Sequence, residues 1–556
     1  MLVRGIVERR QRKSTARLTR RGADLKLGSY VLTTGQLFER QYAVTSRIAS
    51  VLLLVLSLSG CATSQATRAS ASTPSGGAPA RTERQQWLDM FARGYFPGRS
   101  GQVFVIPKKD WFVTSHDELY KFMHGSPWEY DTHIPLLLSG APFVKPGQFD
   151  VAAKQQDVAP TVGALIGATP LPTYTGRALT EAIAAGAGAP RVVTVMVMDS
   201  MRADYFEKYA AQMPTLTRLK NEGAWFGNTH TVVLPTVTGV GHANIGTGSE
   251  PRFHGIVVNT LFNRSTGQQQ DAYFHLDTRE LMALTLADEW NLATDGKAVI
   301  IGQGGAIRAT AGLVGRGSCI ISGRKILAAS YGGSDGGWET NPECYTMPAA
   351  LAAFKGRDVW EKAGGRWMGH DIASSSKFRA SALFQQYECE ALRAVVDAST
   401  VGADDVTDLV FVNMKGPDYT SHAYGPNSPE LSATLAELDR QVAAYLEMIE
   451  KKVGRGRSLL VITADHGQPA EPPQGGRVFL EDLIAQLNQR FDPDGKFINY
   501  YDDAANNQLH LDTARLQSRG FSLKDVATFL EGLDVFEAAF TEDEVRAAQA
   551  ALNAGR

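Results

Sequence analysis

Three apolar runs in the second part of the chain share one pattern of hydrophobic and polar positions. RVVTVMVMDS (191–200), DLVFVNMKGPDYTSH (408–422) and SLLVITADHG (458–467) are each almost continuously apolar before they end in a polar turn. Such runs are typical of central parallel strands that helices cover on both faces. Between the second and third runs, PELSATLAELDRQVAAYLEMIEKK (429–452) places apolar residues at helical spacing. The alternation predicts an α/β fold with a doubly wound, mostly parallel sheet.

Acidic and histidine side chains follow all three predicted strands, at the edge where open α/β sheets bind ligands. Taken singly, each has an ordinary explanation, since an aspartate can cap a helix and a charged pair can lie on the surface. Together they indicate a metal site, because crowded carboxylates repel one another unless a cation compensates them. Mixed aspartate and histidine donors suit zinc best, with manganese as an alternative, and their number suggests two ions. The candidate ligands are Asp199, Asp418, His422, Asp465 and His466.

A candidate nucleophile lies in HTVVLPTVTGVGHANIGTGSEPRFHGIVVN (230–259). Thr238 directly precedes a short predicted helix over residues 239–246. A hydroxyl at a helix N-terminus meets the positive end of the helix dipole and free N–H groups, which stabilise an oxyanion or a phosphate. Thr238 can therefore act as a nucleophile if a metal lowers its pKa. The alternative is that Thr236 or Thr238 only caps the helix.

Bulk composition narrows the class of protein only a little. With 556 residues, of which 44% are hydrophobic, the chain can bury a large core. Its net charge of −2 gives no electrostatic case for a nucleic acid duplex as partner. Nothing in the sequence indicates an obligate protein partner.

The N-terminal sequence predicts a lipid anchor. In RIASVLLLVLSLSGCATSQ (47–65) the apolar run is too short to span a bilayer but suits a signal peptide, and LSGC resembles a bacterial lipobox that would lipidate Cys61. The alternatives are a cleaved signal with an incidental cysteine, or a buried strand. We expect residues 1–61 to be a signal region with a start called too early, residues 62–84 to be a flexible tether, and the protein to reside in the bacterial cell envelope on the periplasmic or extracellular side. The later cysteines allow one disulfide and one thiol, with the pairing open: Cys319, Cys344 and Cys389.

The motifs together carry a family resemblance. VMDSMRADYF, LPTVTGVGHANIGTG, HGIVVN, PDYTSHAYGP and TADHG occur in this order. They resemble the alkaline phosphatase superfamily, most closely its type I phosphodiesterase/nucleotide pyrophosphatase branch and the related bacterial phosphate-irrepressible phosphatases. The resemblance spans residues 88–540 and implies an alkaline-phosphatase-like fold with an inserted cap subdomain.

The same resemblance implies roles for individual residues. One zinc would be held by Asp199, Thr238, Asp465 and His466, and a second by Asp418, His422 and one further histidine. Asn259 would bind a phosphoryl oxygen. The implied reaction forms a phospho-threonine intermediate on Thr238.

The further histidine poses a problem of order, because only His510 follows His466. The family's last ligand lies in a stretch like HGSPWEYDTHIPLLLSG (124–140), followed by segments like DVAPTVGALIGATPLP (157–172) and GRALTEAI (176–183), which here come first. The chain is therefore predicted to be circularly permuted, with His133 preferred over His510 as the remaining ligand. The predicted parts are a permuted C-terminal portion (85–184), a linker (185–190), the catalytic domain (191–264 and 401–556) and a cap (265–400).

Substrate class is indicated less directly. Related monoesterases carry a Lys-x-Arg pair that binds the extra phosphate charge, whereas Gln303, Gly304 and Gly305 stand in the corresponding stretch here. This favours phosphodiesters or nucleotide pyrophosphates over phosphomonoesters, although Arg308 could substitute. In the cap, Trp338 and Tyr345 could stack on a base or belong to the core. A sulfatase is disfavoured because no CxPxR or SxPxR motif is present, and the rival from another class is an inactive, metal-containing surface binding protein.

Overall fold

Three strands at the centre of the sheet are the apolar runs that the sequence predicts. In the computed structural model, Val192–Met198 pairs in parallel with Asp408–Met414 on one side and with Ser458–Thr463 on the other. The first two of these strands are buried along their whole length, because helices cover both faces. The register aligns Met198 with Met414 and Val197 with Thr463. The residues that follow all three strands therefore reach the same edge of the sheet.

The structure describes residues 81–317, 326–469, 476–501 and 507–555. The predicted lipidation site Cys61, the signal region and most of the tether lie outside these ranges. The elements before residue 191 are α1 (Glu83–Gly94), β1 (Val103–Pro107), β2 (Trp111–Thr114), α2 (Glu129–Thr132), β3 (Leu136–Ser139), β4 (Gly147–Phe149), β5 (Ala153–Lys154) and α3 (Val158–Ile166). The elements over 191–264 are β6 (Val192–Met198), α4 (Tyr205–Lys208), α5 (Pro214–Glu222), β7 (Ala224–Phe226), β8 (Thr229–His230), α6 (Thr238–Thr247), α7 (Pro251–His254) and β9 (Thr260–Asn263).

The remaining elements complete the fold. Over 265–400 they are β10 (Gln268–Asp271), α8 (Leu286–Ala293), β11 (Ile300–Gly304), α9 (Ile307–Val314), β12 (Ile326–Gly332), β13 (Gly337–Glu339), β14 (Tyr345–Thr346), α10 (Gly356–Lys362), β15 (Arg366–Trp367), β16 (His370–Asp371), α11 (Ser375–Phe378) and α12 (Ala382–Ala398). From residue 401 they are β17 (Asp408–Met414), α13 (Gly416–Tyr424), α14 (Pro429–Val453), β18 (Ser458–Thr463), β19 (Gly476–Phe479), α15 (Leu480–Phe491), β20 (Ile498–Tyr501), β21 (Gln508–Leu511), α16 (Thr513–Ser518), α17 (Leu523–Glu531), β22 (Phe536–Thr541) and α18 (Glu542–Ala554).

The main sheet has ten strands in the order β13-β12-β11-β17-β6-β18-β3-β7-β4, with β14 beside β12. Its centre is parallel, and β3 runs antiparallel between β18 and β7. The mixed, mostly parallel sheet between helices confirms the predicted α/β class. Alternate residues of β6 enter two different cores: Met196 packs with helices α12 and α14 on one face, and Val195 with α3 and α8 on the other.

Residues 81–184 are built into this fold rather than set apart from it. Besides β3, the segment supplies β1, which pairs with β21 and β22 in a second, four-stranded sheet. Gln549 in α18 donates hydrogen bonds to the carbonyls of Ala92 and Tyr95 at the end of α1. The first and last described parts of the chain are thus neighbours.

The stretch expected to form a cap contributes partly to the sheet. Strands β11 and β12 extend the central parallel strands, while α10 and α11 enclose an aromatic cluster around Trp360 and Phe378. Trp338 stacks on Tyr387, and the Tyr345 hydroxyl contacts the Gly315 carbonyl. Both side chains therefore belong to the protein interior and do not line the cavity described below.

Two further features bear on the sequence predictions. Cys344 takes part in a disulfide, and Cys389 is a buried free thiol. Among the helices that the structure describes, none combines the length and apolarity needed to cross a membrane.

Candidate metal centre

The first group of candidate donors gathers at the ends of β6 and β18 and at the start of α6. The Nε2 atom of His466 lies 3.1 Å from Asp465 Oδ2, 3.7 Å from Asp199 Oδ1 and 3.4 Å from Thr238 Oγ1. All four side chains are buried. We call these residues the Asp199 group; the sequence predicts all of them as ligands of one ion, and the structure brings them together.

The second group forms around Asp418, near the beginning of α13. His422 Nε2 lies 3.3 Å from Asp418 Oδ1, as their spacing on one helix allows. The third member is His124, whose Nε2 lies 3.8 Å from the same oxygen. These three buried residues are called the His124 group.

The structure does not bring His133 to either group. Its Nε2 contacts the Gly227 carbonyl at 2.8 Å, its ring stacks on His230, and 33% of its side chain is exposed. His510 is also elsewhere, buried between the rings of Phe262 and Tyr500. The segment 124–140 that the sequence singles out does reach the centre, but through its first histidine rather than through the one before β3.

Backbone carbonyls orient the three histidines towards the carboxylates. The Nδ1 atoms of His124, His422 and His466 contact the carbonyls of Thr236 (2.6 Å), Phe122 (2.5 Å) and Gly467 (2.9 Å). A ring that donates its Nδ1–H to a carbonyl presents the unprotonated Nε2 on its other side. All three rings are thereby arranged as metal ligands usually are.

Such an arrangement needs a positive charge between its atoms. The Nε2 lone pair of His466 faces Asp465 Oδ2 at 3.1 Å, and two electron-rich atoms this close repel unless a proton or a cation lies between them. Burial alone would lower the pKa of His466, but Asp465 outweighs it and raises that pKa to about 9. A metal ion between these two atoms would supply the same positive charge, and the aspartate and histidine donors are of the types that bind zinc.

Lys415, at the end of β17, brings a cation into the same space. Its Nζ lies 2.8 Å from Asp199 Oδ1, 2.7 Å from Asp418 Oδ2 and 2.9 Å from Thr238 Oγ1, and its side chain is fully buried. Burial would lower the pKa of this ammonium, but Asp199 and Asp418 outweigh it and raise the pKa. Behind it, the Glu388 carboxyl accepts hydrogen bonds from the Lys415 and Gly416 N–H groups, and burial raises the pKa of Glu388 to about 8.

Asp199 and Asp418, two of the carboxylates of the centre, differ in how strongly the protein favours their ionised form. Burial and the neighbouring Asp465 raise the pKa of Asp199 to about 6, although Lys415 opposes this. Burial also works against ionisation of Asp418, but His422 and Lys415 outweigh it and hold its pKa well below the usual range. The ionised form of Asp418 is therefore strongly stabilised by protein groups alone, whereas that of Asp199 is not.

Close backbone approach and a strained turn fix the carboxylates. A side chain at Gly241 in α6 would place its Cβ 2.6 Å from the Asp465 carbonyl, so only glycine lets the helix pack against this loop. Ser200, directly after β6, has a φ of +59°, which is uncommon for a non-glycine residue. This turn lets the Ser200 hydroxyl donate to Asp418 Oδ1 at 2.8 Å and so links the ends of two strands.

A cavity of about 750 Å³ opens in front of Thr238. Asn259 borders it, and because its Oδ1 accepts the Gly239 N–H at 2.9 Å, its amide NH₂ is left to face the cavity. Two half-buried guanidinium groups, Arg308 and Arg379, line the same space. Arg379 donates to the Tyr419 hydroxyl at 3.0 Å, and no hydrogen bond within the described residues satisfies the buried Nε of Arg308.

Some residues of the centre are not among those predicted from the sequence. His124 is one, although it opens the segment 124–140, and Lys415 is another, although a cation three positions before Asp418 is a usable signal. His242, whose Nδ1 lies 3.3 Å from Asp465 Oδ2, is one helical turn after Thr238 and carries a similar signal. Arg379 carries no local signal, because only the fold brings it to the cavity.

Comparisons with known proteins identify the family to which this chain belongs. A family model described as type I phosphodiesterase/nucleotide pyrophosphatase matches residues 193–548. The chain is 27% identical over 399 residues to alkaline phosphatase PafA of Elizabethkingia meningoseptica, covering 61% of this chain and 72% of that protein. It is 26% identical over 389 residues to alkaline phosphatase PhoV of Synechococcus elongatus, covering 58% and 68%. The crystal structure of wild-type PafA superposes with a TM-score of 0.55 at 23% identity, covering 65% of this chain and 82% of that one. The chain is thus a metal-dependent hydrolase of phosphoric esters and belongs to the type I phosphodiesterase/nucleotide pyrophosphatase family of the alkaline phosphatase superfamily.

Proposed function

We propose that this chain hydrolyses phosphodiester or nucleotide pyrophosphate bonds in two steps through a phospho-threonine on Thr238. The observation that carries the proposal is the position of the Thr238 hydroxyl. It begins α6, lies 3.4 Å from His466 Nε2 and borders the cavity in which an ester can bind. A residue that only caps the helix has no need of these surroundings.

In the first step Thr238 Oγ1 forms a bond to phosphorus, the bond from phosphorus to the leaving oxygen breaks with its electrons on that oxygen, and the proton of the Thr238 hydroxyl passes through solvent to the leaving oxygen. In the second step a water attacks phosphorus, Thr238 Oγ1 leaves with the bonding electrons and regains a proton, and the phosphate product departs. One water is consumed overall. The Asn259 amide meets a phosphoryl oxygen, and the positive end of the α6 dipole stabilises the charge that develops beside Thr238.

Zinc is the ion that this donor set suits best, with manganese as the alternative. The Asp199 group and the His124 group are the two sets of donors from which an ion can be held, and the sequence suggests a count of two. A bound ion lowers the pKa of a hydroxyl or water and withdraws charge from phosphoryl oxygens. His124 takes the place in this proposal that the sequence gives to His133.

A phosphomonoesterase is the second candidate, and Arg308 with Arg379 favours it. Gln303 stands in the stretch where related monoesterases carry a cationic pair, but it is neutral and buried, and its amide donates a hydrogen bond to the Glu388 carbonyl. The two guanidinium groups reach the cavity from other positions and can bind the additional charge of a monoester dianion. They can equally bind the second phosphate of a pyrophosphate, so the cavity charge alone leaves both substrate classes open.

Hydrolysis of bis-p-nitrophenyl phosphate and p-nitrophenyl phosphate by the zinc-loaded protein tests the proposal. We expect turnover that Thr238→Ala abolishes and that Thr238→Ser retains to within roughly tenfold, because serine keeps the nucleophilic oxygen. Preference for the diester supports the first candidate, and strong preference for the monoester supports the second. Zinc-loaded protein that turns over neither ester would instead fit an inactive binding protein.

We also propose that the order of the chain is permuted relative to the family. The family model begins at residue 193, whereas His124 and β3 belong to the preceding segment. The proximity of α1 to α18 supports this order, because these first and last elements would follow each other in the family order and must therefore lie near each other.

Lipidation at Cys61 and residence in the cell envelope complete the proposal. The lipobox-like LSGC motif and the tether composition of residues 62–84 support it. The test is whether Cys61→Ala moves the expressed protein from the membrane fraction to the soluble fraction. Wild-type protein that is soluble after cell fractionation would contradict the anchor.

A further inference from the structure

The charge of Lys415 changes the number of metal ions that the centre needs. Asp199, Asp418 and Asp465 bring three carboxylates into a space without solvent exposure. Two divalent ions together with Lys415 would exceed this negative charge by two, and buried uncompensated charge is costly. One divalent ion and the ammonium cancel the three carboxylates, and a proton between His466 Nε2 and Asp465 Oδ2 adds a single positive charge, so one ion lies nearer to balance than two.

The ammonium lies among the donors of the Asp199 group. Its hydrogen bonds are to Asp199 Oδ1 at 2.8 Å and to Thr238 Oγ1 at 2.9 Å, which are two of the four donors that this group would offer to an ion. In the His124 group it touches only Asp418 Oδ2, at 2.7 Å, while both histidines face the other oxygen, Oδ1. Lys415 therefore competes with an ion for the first group and leaves the second available.

Packing fixes the base of the Lys415 side chain. Its side chain is fully buried, and a Cβ added to Gly305 would lie 2.4 Å from Lys415 Cβ. The Lys415 N–H is bonded to Glu388 Oε2, which fixes the main chain from which the side chain extends. The ammonium is therefore held by a buried side chain whose first atoms are closely packed, among the oxygens that an ion would use.

We propose that Lys415 replaces one of two metal ions: its ammonium holds the Thr238 hydroxyl and Asp199, and the centre binds one ion, at His124, Asp418 and His422. The inference rests on the proposed function, in which Thr238 is the reacting group. It makes Lys415 a catalytic residue in contact with the nucleophile. Asp199 then accepts a hydrogen bond from Lys415 instead of coordinating a metal ion.

Zinc stoichiometry of the full chain tests this directly. Protein equilibrated with zinc alone and freed of weakly bound ion by gel filtration is expected to hold one zinc per chain. Asp199→Asn is expected to keep that zinc and His422→Ala to lose it. A wild-type count of two, or an Asp199→Asn variant without zinc, would overturn the inference.

Lys415→Ser provides the reverse test, since it removes the ammonium and opens space at the Asp199 group. The number of zinc ions per chain is expected to rise from one to two. A count that stays at one would show that Lys415 does not occupy the position of a second ion. Circular dichroism checks that each variant is folded, and the Asp199→Asn and His422→Ala pair decides the matter if Lys415→Ser does not fold. Failure of the function is separable: one zinc per chain without turnover of either ester would reject the hydrolase proposal and leave the ion count intact.

Discussion

His124 Nε2 lies 3.8 Å from Asp418 Oδ1, so a residue near the beginning of the described part of the chain completes a donor group whose other members lie on α13. The Nδ1 atom of His124 is fixed by the Thr236 carbonyl, two residues before Thr238. One histidine thus connects the early segment, the nucleophile segment and α13. This connection explains why a family match that begins at residue 193 omits part of the centre.

His124→Ala should remove the bound ion and most hydrolysis, roughly 100-fold or more, because a direct ligand is lost. His133→Ala is the matched control from the same segment and should keep both, since its ring stacks on His230 away from the donors. Metal analysis and ester hydrolysis of the two variants check this. Loss of metal in His133→Ala with retention in His124→Ala would return the ligand role to His133.

Asp131 holds the loop that presents His124. Its buried Oδ2 accepts hydrogen bonds from the Gly125 N–H at 3.1 Å, the Ser126 N–H at 2.7 Å and the Ser126 hydroxyl at 2.6 Å. Asp131→Ala should lower the free energy of unfolding by about 1–3 kcal/mol, because buried donors lose their acceptor. It should weaken zinc affinity by roughly 10- to 100-fold, as is common for groups that position a ligand.

Asp117→Ala is the control for that experiment, since Asp117 also accepts a backbone N–H but is exposed and away from the donors. Zinc titration and thermal unfolding of both variants provide the measurements. An Asp131→Ala protein with unchanged zinc affinity would show that the loop keeps His124 in place without this carboxylate.

The central strands can be predicted from the sequence because each is defined by a continuous apolar run of neighbouring residues. Continuous apolar runs such as residues 191–198 are best accommodated as strands covered on both faces, and the parallel register then brings their polar ends together. Asp199, Asp418 and Asp465 can therefore be grouped from the sequence alone. Helix α14, Pro429–Val453, follows equally from its spacing.

The remaining parts depend on contacts that no local pattern encodes. His124 and His133 stand in one segment, and choosing between them requires the turn over residues 124–128 that points only the first ring inward. Arg379 enters the cavity from the loop before α12, far in sequence from Thr238. Strands β11 and β12 fall in the predicted cap because that prediction rests on the length of the insertion rather than on its pattern.

Gly241 should be one of the least tolerant positions in α6. A Cβ there would lie 2.6 Å from the Asp465 carbonyl oxygen, so Gly241→Ala must displace either the helix or the loop that carries Asp465 and His466. The expected cost is about 1–3 kcal/mol of unfolding free energy, as for other overpacked sites, together with reduced hydrolysis.

Gly163→Ala in helix α3 is the matched substitution, because its nearest neighbour would be at an ordinary 3.7 Å. It should be neutral or stabilising by up to about 1 kcal/mol, owing to the better helix propensity of alanine. Chemical denaturation of the two variants makes the comparison. Equal effects would mean that the α6 contact relaxes without cost.

Arg308 and Arg379 should control the preference between ester classes. Arg308→Met or Arg379→Met is expected to lower kcat/KM for a phosphomonoester by roughly 10- to 100-fold, the loss of one charge-assisted hydrogen bond. The diester p-nitrophenyl reaction, with one charge fewer, should change by less than about threefold. Arg366→Met, on exposed strand β15, should change neither rate. Equal losses for both esters would indicate that the arginines hold the cavity in shape rather than select charge.

The permuted order predicts that residues 81–184 can follow residue 555 without loss of the fold. Gln549 of α18 donates hydrogen bonds to the carbonyls of Ala92 and Tyr95, which lie at the end of α1 rather than at its start. Joining the end of α18 to the start of α1 must therefore span about the 18 Å length of a 12-residue helix, which a Gly/Ser linker of roughly ten residues covers. The rearranged chain, beginning near residue 191, should bind zinc and hydrolyse esters at rates within roughly tenfold of those of the natural chain.

The control inserts the same linker into the natural chain between residues 186 and 187. If only the control folds and hydrolyses esters, the early position of residues 81–184 is required and the permuted order is contradicted.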